Sequence, residues 1–228
     1  METFLKIRNL RKGYSMGRGN LQAVVDVEKF EMAAASQLAI EGPSGSGKTT
    51  FLNLIAGIIK ADSGSIFLGN QEITSLRESD RDLTRATTVG YVFQSFYLLQ
   101  GCTALENIMV AMAIGGNANK DRARELLAWV GISGKENYFP SQLSIGQQQR
   151  VGVARALANN PKLMLADEPT GNLDVKNAAG SIDLLRSLCE QNGCTLLVVS
   201  HDQNIIGRFQ QSIKWEELNS VQVKDDEF

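Results

Sequence analysis

Two hydrophobic periodicities alternate along the chain. Residues 3–9 alternate apolar and polar positions, with Leu5 and Ile7 on one face of a strand. Residues 37–41 form a short, mostly apolar strand that runs straight into a glycine-rich stretch. Beyond that stretch Leu52, Ile55, Ala56 and Ile59 recur at helical spacing and give a helix one face to bury. Residues 65–68 with the Gly69-Asn70 turn read as a hairpin, and residues 89–93 as another strand, ending at Gln94. From about residue 96 to 158 the pattern is mostly helical, over 104–114, over 120–130, and from a start near Ser144. Two apolar runs, 163–166 and 195–199, then return to strand, with a helix over about 177–190 between them.

Nearly continuous apolar strands alternating with helices predict an α/β fold, with a parallel sheet covered on both faces. The helical stretch 96–158 then reads as a lobe inserted between two strands of that sheet. Residues 13–20, glycine-rich and polar, read as a loop, and the charged end 224–228 as a solvated tail. No repeat, low-complexity tract or linker divides the sequence, so residues 1–228 are taken as one domain.

Charge and cysteine content narrow the function classes. Lys and Arg total 23 against 25 Asp and Glu, a formal charge of −2, which argues against a protein that holds nucleic acid by neutralising phosphates. Cys102, Cys189 and Cys194 form no metal-ligand spacing and no framework of bridges, as in a reduced, cytoplasmic protein. No run of about 18 apolar residues occurs, so any role at a membrane is expected through a partner.

The first candidate chemistry is the run Gly42-Pro43-Ser44-Gly45-Ser46-Gly47-Lys48-Thr49-Thr50, placed between a strand and a helix. A polyphosphate needs several N–H donors converging on it without side chains in the way, and the glycines let the backbone wrap. Lys48 can reach the β- and γ-phosphates of ATP, and the Thr49 hydroxyl is placed for Mg²⁺. The second is Asp167-Glu168, delivered by the apolar strand 163–166 to the edge of the sheet where ligands sit. On an extended chain the two acids point to opposite sides, so they need not share a task. Asp167 is assigned to the Mg²⁺ shell, and Glu168 to orienting and polarising the attacking water.

A third set of residues is more specific. Leu143-Ser144-Ile145-Gly146-Gln147 followed by Gln148-Gln149-Arg150 resembles the signature sequence of the ATP-binding-cassette (ABC) ATPases. Gln94 resembles that family's Q-loop glutamine, residues 171–174 its D-loop, and His201 its switch histidine. Tyr14 resembles the aromatic that stacks on adenine. The resemblance spans essentially the whole chain in the family's order. It implies a P-loop ABC ATPase core with an N-terminal antiparallel β subdomain and an inserted helical subdomain. It also implies Mg-ATP as ligand, Gln94 as a further contact to the metal and the water, and His201 as a γ-phosphate sensor. Ser144 is a good N-cap, and the amides behind it form a second anion site. Ser144, Gly146 and Gln147 are therefore expected to complete the partner's site in a head-to-tail homodimer, with Asp174 speaking across it. Ile145 stands where the first signature glycine is normally found. It is expected to resist a positive φ and add bulk, weakening closure without abolishing it.

Within the family the runs SGSGKTT and LADEPTGNLD are similar to the ATPases of lipoprotein-release, macrolide-export and peptide-detoxification transporters. The implied protein is an ATPase on the inner face of the cell membrane, driving separately encoded permease subunits and touching the bilayer only through them. The apolar stretch 96–105, directly after Gln94, is a candidate surface for that permease. An ATPase regulating a division or wall-hydrolase complex, or a soluble iron–sulfur assembly ATPase, is the alternative. LADEPTGNLD disfavours the last.

Overall fold

A computed structural model describes residues 2–15 and 21–221. In chain order the first half comprises β1 (Thr3–Ser15), β2 (Leu21–Ala33), β3 (Gln37–Glu41), α1 (Lys48–Ile55), β4 (Ser63–Leu68), β5 (Gln71–Glu72), α2 (Glu78–Thr88) and β6 (Val89–Val92). There follow α3 (Ala104–Ile114), α4 (Lys120–Trp129), a single 3-10 turn over Pro140–Gln142, and α5 (Ile145–Ala156). The last part comprises β7 (Leu163–Asp167), α6 (Val175–Gln191), β8 (Thr195–Ser200), α7 (Gln203–Ile206), β9 (Ser212–Lys214) and α8 (Trp215–Leu218).

The strands form two sheets. An antiparallel sheet runs β2-β1-β4-β5, and a five-stranded sheet runs β6-β7-β8-β3-β9, parallel at every pairing. The central strands β7 and β8 are buried on both faces, and alternate residues of the parallel sheet serve different cores. Leu163, Leu165, Leu197, Val199 and Ile40 face the antiparallel sheet and α1. Met164, Ala166, Leu196, Val198 and Ala39 face a cluster built with α3, α4, α5 and α6. This is why those strands read as unbroken apolar runs.

β1 is longer than its alternation suggests. Leu5 and Ile7 are buried, but the next buried residue is Leu10 rather than residue 9. Asn9 takes φ +48°, and the pairing of β1 with β4 shifts register between Arg8 and Arg11. The bulge rephases the strand, so a strict period of two stops at Asn9 while the strand continues. β2 changes phase with it, through the facing pairs Leu10–Val27, Ile7–Phe30 and Leu5–Met32. Gly13 to Ser15 consequently lie in β1, not in a loop, and residues 16–20 of the expected loop lie outside the described residues, as does the tail at 224–228.

Between β6 and β7, which are hydrogen-bonded neighbours, the chain runs only through helices and loops. α3 starts on a full capping box between Thr103 and Glu106. α5 starts on another between Ser144 and Gln147, and Asn119 caps α4. α5 packs against β6 at Gly90. A Cβ there would stand 2.4 Å from the Ala156 carbonyl oxygen and 2.9 Å from Met164 Cε.

Gly90→Ala forces one of these neighbours to move, and should cost about 1–3 kcal/mol in urea unfolding, as overpacked sites do. An unchanged midpoint would mean that α5 does not rest on β6 in this way.

Candidate functional site

The parallel register brings the functional segments to one edge. Glu41, the last residue of β3, lies opposite Ser200, and Asp167, the last of β7, lies opposite Val199. The glycine-rich loop, the two acids and His201 therefore leave the sheet side by side.

The loop wraps because Gly45 (φ +76°) and Gly47 (φ +103°) take left-handed conformations that a side chain resists. A Cβ at Gly47 would also strike the Val24 carbonyl oxygen at 2.8 Å. Lys48 opens α1 and folds back inside the loop, 5% exposed. Its Nζ donates to the carbonyls of Gly42 (2.7 Å) and Pro43 (2.6 Å). Burial holds this ammonium below the usual lysine value, while the Glu168 and Asp167 carboxylates pull in the opposite direction. Trp215, on α8, backs the loop from beneath, donating its indole N–H to the Ser46 carbonyl at 2.7 Å.

Asp167 and Glu168 differ in setting. Asp167 is buried, and desolvation raises its carboxyl above the ordinary range; the Glu168 charge adds to this, and a hydrogen bond with Thr49 and the charge of Lys48 oppose it. Glu168 is not on extended backbone. β7 ends one residue earlier, and Glu168 takes φ +42° with its N–H donating to the Val199 carbonyl at 3.0 Å. The two acids are thus separated by a backbone turn and not by strand alternation. Both Glu168 oxygens are held. Oε2 accepts from Ser200 Oγ (2.8 Å), and Oε1 accepts from the His201 N–H (3.0 Å) and lies 2.7 Å from His201 Nδ1. The Ser200 hydroxyl is itself fixed by the Asp202 N–H at 3.1 Å.

Tyr14, Val24, Ser44, Gly45, Gly47, Lys48, Thr49, Thr50, Gln94, Asp167 and Glu168 line one cleft of about 330 Å³. Gly42, Pro43 and His201 line a neighbouring hollow with Glu41, Lys214 and Glu216, and His201 meets the cleft through Glu168. Gln94 reaches the loop after β7: its carbonyl accepts from Asn172 Nδ2 at 2.7 Å, and its amide fills the space beside Gly171. Asp174 caps α6 through the Asn177 N–H. Ser144, Gly146 and Gln147 are not in the cleft's lining; they form the tip of α5, Ser144 exposed and Gly146 and Gln147 half-buried, where Ser144 Oγ accepts from the Gln147 N–H. Ile145 is the first residue of that helix and is not among the described residues with positive φ, so the anticipated backbone conflict is absent and only its bulk remains. Of the stretch 96–105, Phe96, Leu98, Ala104 and Leu105 are buried, whereas Tyr97 and Leu99 are exposed.

The cleft suits a polyanion. Ser46 Oγ is buried within the loop without a hydrogen-bond partner, a polar atom that a phosphate oxygen would satisfy. No cluster of three or more His, Cys, Asp or Glu side chains among the described residues could hold a metal alone. The Thr49 hydroxyl and Asp167 do suit Mg²⁺, which is ordinarily bound by one or two protein oxygens together with substrate phosphates. Sequence reasoning passed over Ser200, Trp215 and Val24. A hydroxyl directly before His201 was the available signal for Ser200. Trp215 and Val24 contact the loop from distant parts of the chain, and nothing local marks them.

Known proteins agree with this geometry. The family described as ABC transporter matches residues 25–171. The lipoprotein-releasing system ATP-binding protein LolD of Treponema denticola is 45% identical over 202 residues, 87% of this chain and 89% of that protein. Its counterpart in Pseudomonas syringae pv. tomato is 39% identical over 215 residues, 93% of this chain and 94% of that protein. The dimeric post-hydrolysis structure of the ATP-binding cassette MJ0796 with ADP and Pi superposes with a TM-score of 0.86 at 35% identity, covering 98% of this chain and 97% of that one.

The raised carboxyl of Asp167 has a consequence for stability. Its folded pKa lies above the unfolded one, so the folded state binds the proton more tightly, and at neutral pH the ionised group works against folding. That cost disappears as pH falls through the folded pKa. Asp167→Asn should therefore raise the thermal midpoint of the nucleotide-free protein at pH 7, with the advantage shrinking as pH is lowered. A midpoint that falls at pH 7 would contradict the desolvation argument.

Proposed function

The chain belongs to the ABC transporter family, and from that membership we propose that it powers a lipoprotein-releasing or related export complex from the inner face of the membrane. It is an ATP-hydrolysing nucleotide-binding subunit of a transporter, it uses Mg²⁺, and it works as a dimer. No helix among the described residues is long and apolar enough to cross a membrane. Force must therefore reach the bilayer through permease subunits. A groove beside Gln94, lined by Tyr91, Phe93, Tyr97, Ala111, Ile114 and Arg155, has the apolar character such a contact needs. The similarity to lipoprotein-releasing ATPases over most of the chain supports the choice of transporter class.

In this reading the loop amides and Lys48 hold the phosphates, and Tyr14 offers its ring to the base. Thr49, Asp167 and Gln94 would hold Mg²⁺, which would offset the charge of the phosphates. Glu168 orients the attacking water and accepts its proton at a carboxylate oxygen. Ser200 and His201 keep that carboxylate turned, and His201 senses the γ-phosphate. Ser144, Gly146 and Gln147 of a second copy close the far side with the amides of their helix tip.

The observation that carries the proposal is Glu168, with both oxygens held and its side chain at the edge of the cleft that Lys48, Thr49 and Asp167 line. Glu168→Gln keeps the shape of the side chain and one acceptor oxygen, replaces the other oxygen by an NH2 donor, and removes the base. ATP binding should persist while turnover falls by about a hundredfold or more, the usual worth of a positioned base. Turnover near that of the unaltered protein would remove Glu168 from this role.

A further inference from the structure

α8 is a single helical turn near the end of the described chain, and it touches both walls of the nucleotide cleft. Trp215, 1% exposed, donates Nε1–H to the Ser46 carbonyl inside the phosphate loop. Its Cβ occupies the space where a side chain at Gly42 would stand, 2.8 Å away. Its ring packs on Phe51 of α1 (5.1 Å between centroids), which packs in turn on Phe30 of β2 (5.7 Å). At the far end of the turn Asn219, 4% exposed, grips β2. Its Oδ1 accepts from the Asp26 N–H at 2.7 Å, and its Nδ2 donates to the Val24 carbonyl at 3.1 Å.

Val24 is available for that bond for a topological reason. β1 and β2 pair Lys12 with Val25 and Gly13 with Ala23, so Val24 falls in a bulge and has no facing partner. Val24 also lines the cleft together with Tyr14, the candidate base-stacking aromatic, and its carbonyl oxygen would lie 2.8 Å from a Cβ at Gly47. The base wall belongs to the antiparallel sheet, and the phosphate wall to the parallel one. α8 bonds to a main-chain oxygen of each.

We propose that Trp215 and Asn219 are positioning residues of the nucleotide cleft, α8 acting as a strap that sets the distance between the base wall and the phosphate wall. Neither residue lines the cleft or touches nucleotide; each acts through the backbone it holds. The inference rests on the nucleotide-binding reading above, and it separates the two residues by ligand. The Trp215 hydrogen bond goes to the phosphate wall, so its loss is felt by any polyphosphate. Asn219 secures the base wall, so its loss is felt only by a ligand that spans both.

The test is binding of Mg-ATP and of inorganic tripolyphosphate to the full chain by titration calorimetry, with Lys48→Ala as control. Trp215→Phe keeps the ring packing and removes one hydrogen bond; it should weaken both ligands by roughly fivefold, the worth of one such bond. Asn219→Ala should weaken ATP by a similar factor and leave tripolyphosphate within about twofold of the unaltered protein. A residue that merely stabilises the fold would not sort the ligands in this way. Equal effects of Asn219→Ala on the two ligands, or no effect of either variant on ATP, overturn the strap. Trp129 is the only other tryptophan, so in a Trp129→Phe background the emission reports Trp215 alone, with the strap intact. Tripolyphosphate should shift that emission and adenosine should not; an emission indifferent to tripolyphosphate counts against the proposal even if Trp215→Phe fails to fold. If the unaltered protein binds neither ligand, the nucleotide reading itself fails. If it binds both, Lys48→Ala loses both, and the strap variants bind normally, only the strap is wrong.

Discussion

The Lys48 ammonium sits inside the chain's own phosphate loop, and much of the structure follows from keeping it there. A charge 5% exposed must have its N–H donors met, and here the carbonyls of Gly42 and Pro43 accept two of them. Those carbonyls can point inward only because the loop turns through left-handed glycines at 45 and 47. Asp167 and Glu168 supply the nearby negative charge, and burial pushes Asp167 in the direction opposite to Lys48. The nucleotide-free site is thus under electrostatic tension: a desolvated cation, a desolvated acid and an unpartnered Ser46 hydroxyl. In the proposed function phosphate and metal would relieve each of these.

Geometry comes from the parallel sheet. Because β3, β7 and β8 share one register, their C-terminal ends deliver the loop, the acids and His201 to the same edge. The backbone turn at Glu168 then swings its carboxylate toward Ser200 and His201. Gln149, buried in α5, donates to the Pro169 carbonyl, so the helix that carries the Ser144 tip is tied to the loop that carries Glu168. That bond ends on the residue next to Glu168.

Legibility in the sequence followed physical locality. β7 and β8 could be read because strands buried on both faces are apolar without interruption, β3 because it is mostly apolar, and α3 because the helical pattern runs over 104–114. The cleft residues could be read because phosphate chemistry demands a contiguous run. β2 was missed because its burial changes phase between Val27 and Phe30, in step with β1 across Asn9, and because Glu28, Lys29 and Glu31 dilute the pattern. α2 was missed because only Thr84 is buried along it, so it has almost no apolar stripe. The end of β1 was mistaken for a loop because glycine and polar residues there serve the rephased strand. Trp215 and Asn219 act on backbone 169 and 195 residues away, and only the fold shows such contacts.

One chain brings the glycine-rich loop, Thr49, Asp167 and Glu168 to one cleft, but its own Ser144 tip lies outside that cleft. In the proposed function a second copy supplies the tip. The most direct test is the ATPase rate against protein concentration, over a range where light scattering shows a monomer before nucleotide is added. The rate should rise with the square of concentration, so that activity per chain falls on dilution. Activity per chain that stays constant on dilution, with the protein still monomeric in the presence of ATP, would rule out a tip supplied by a second copy.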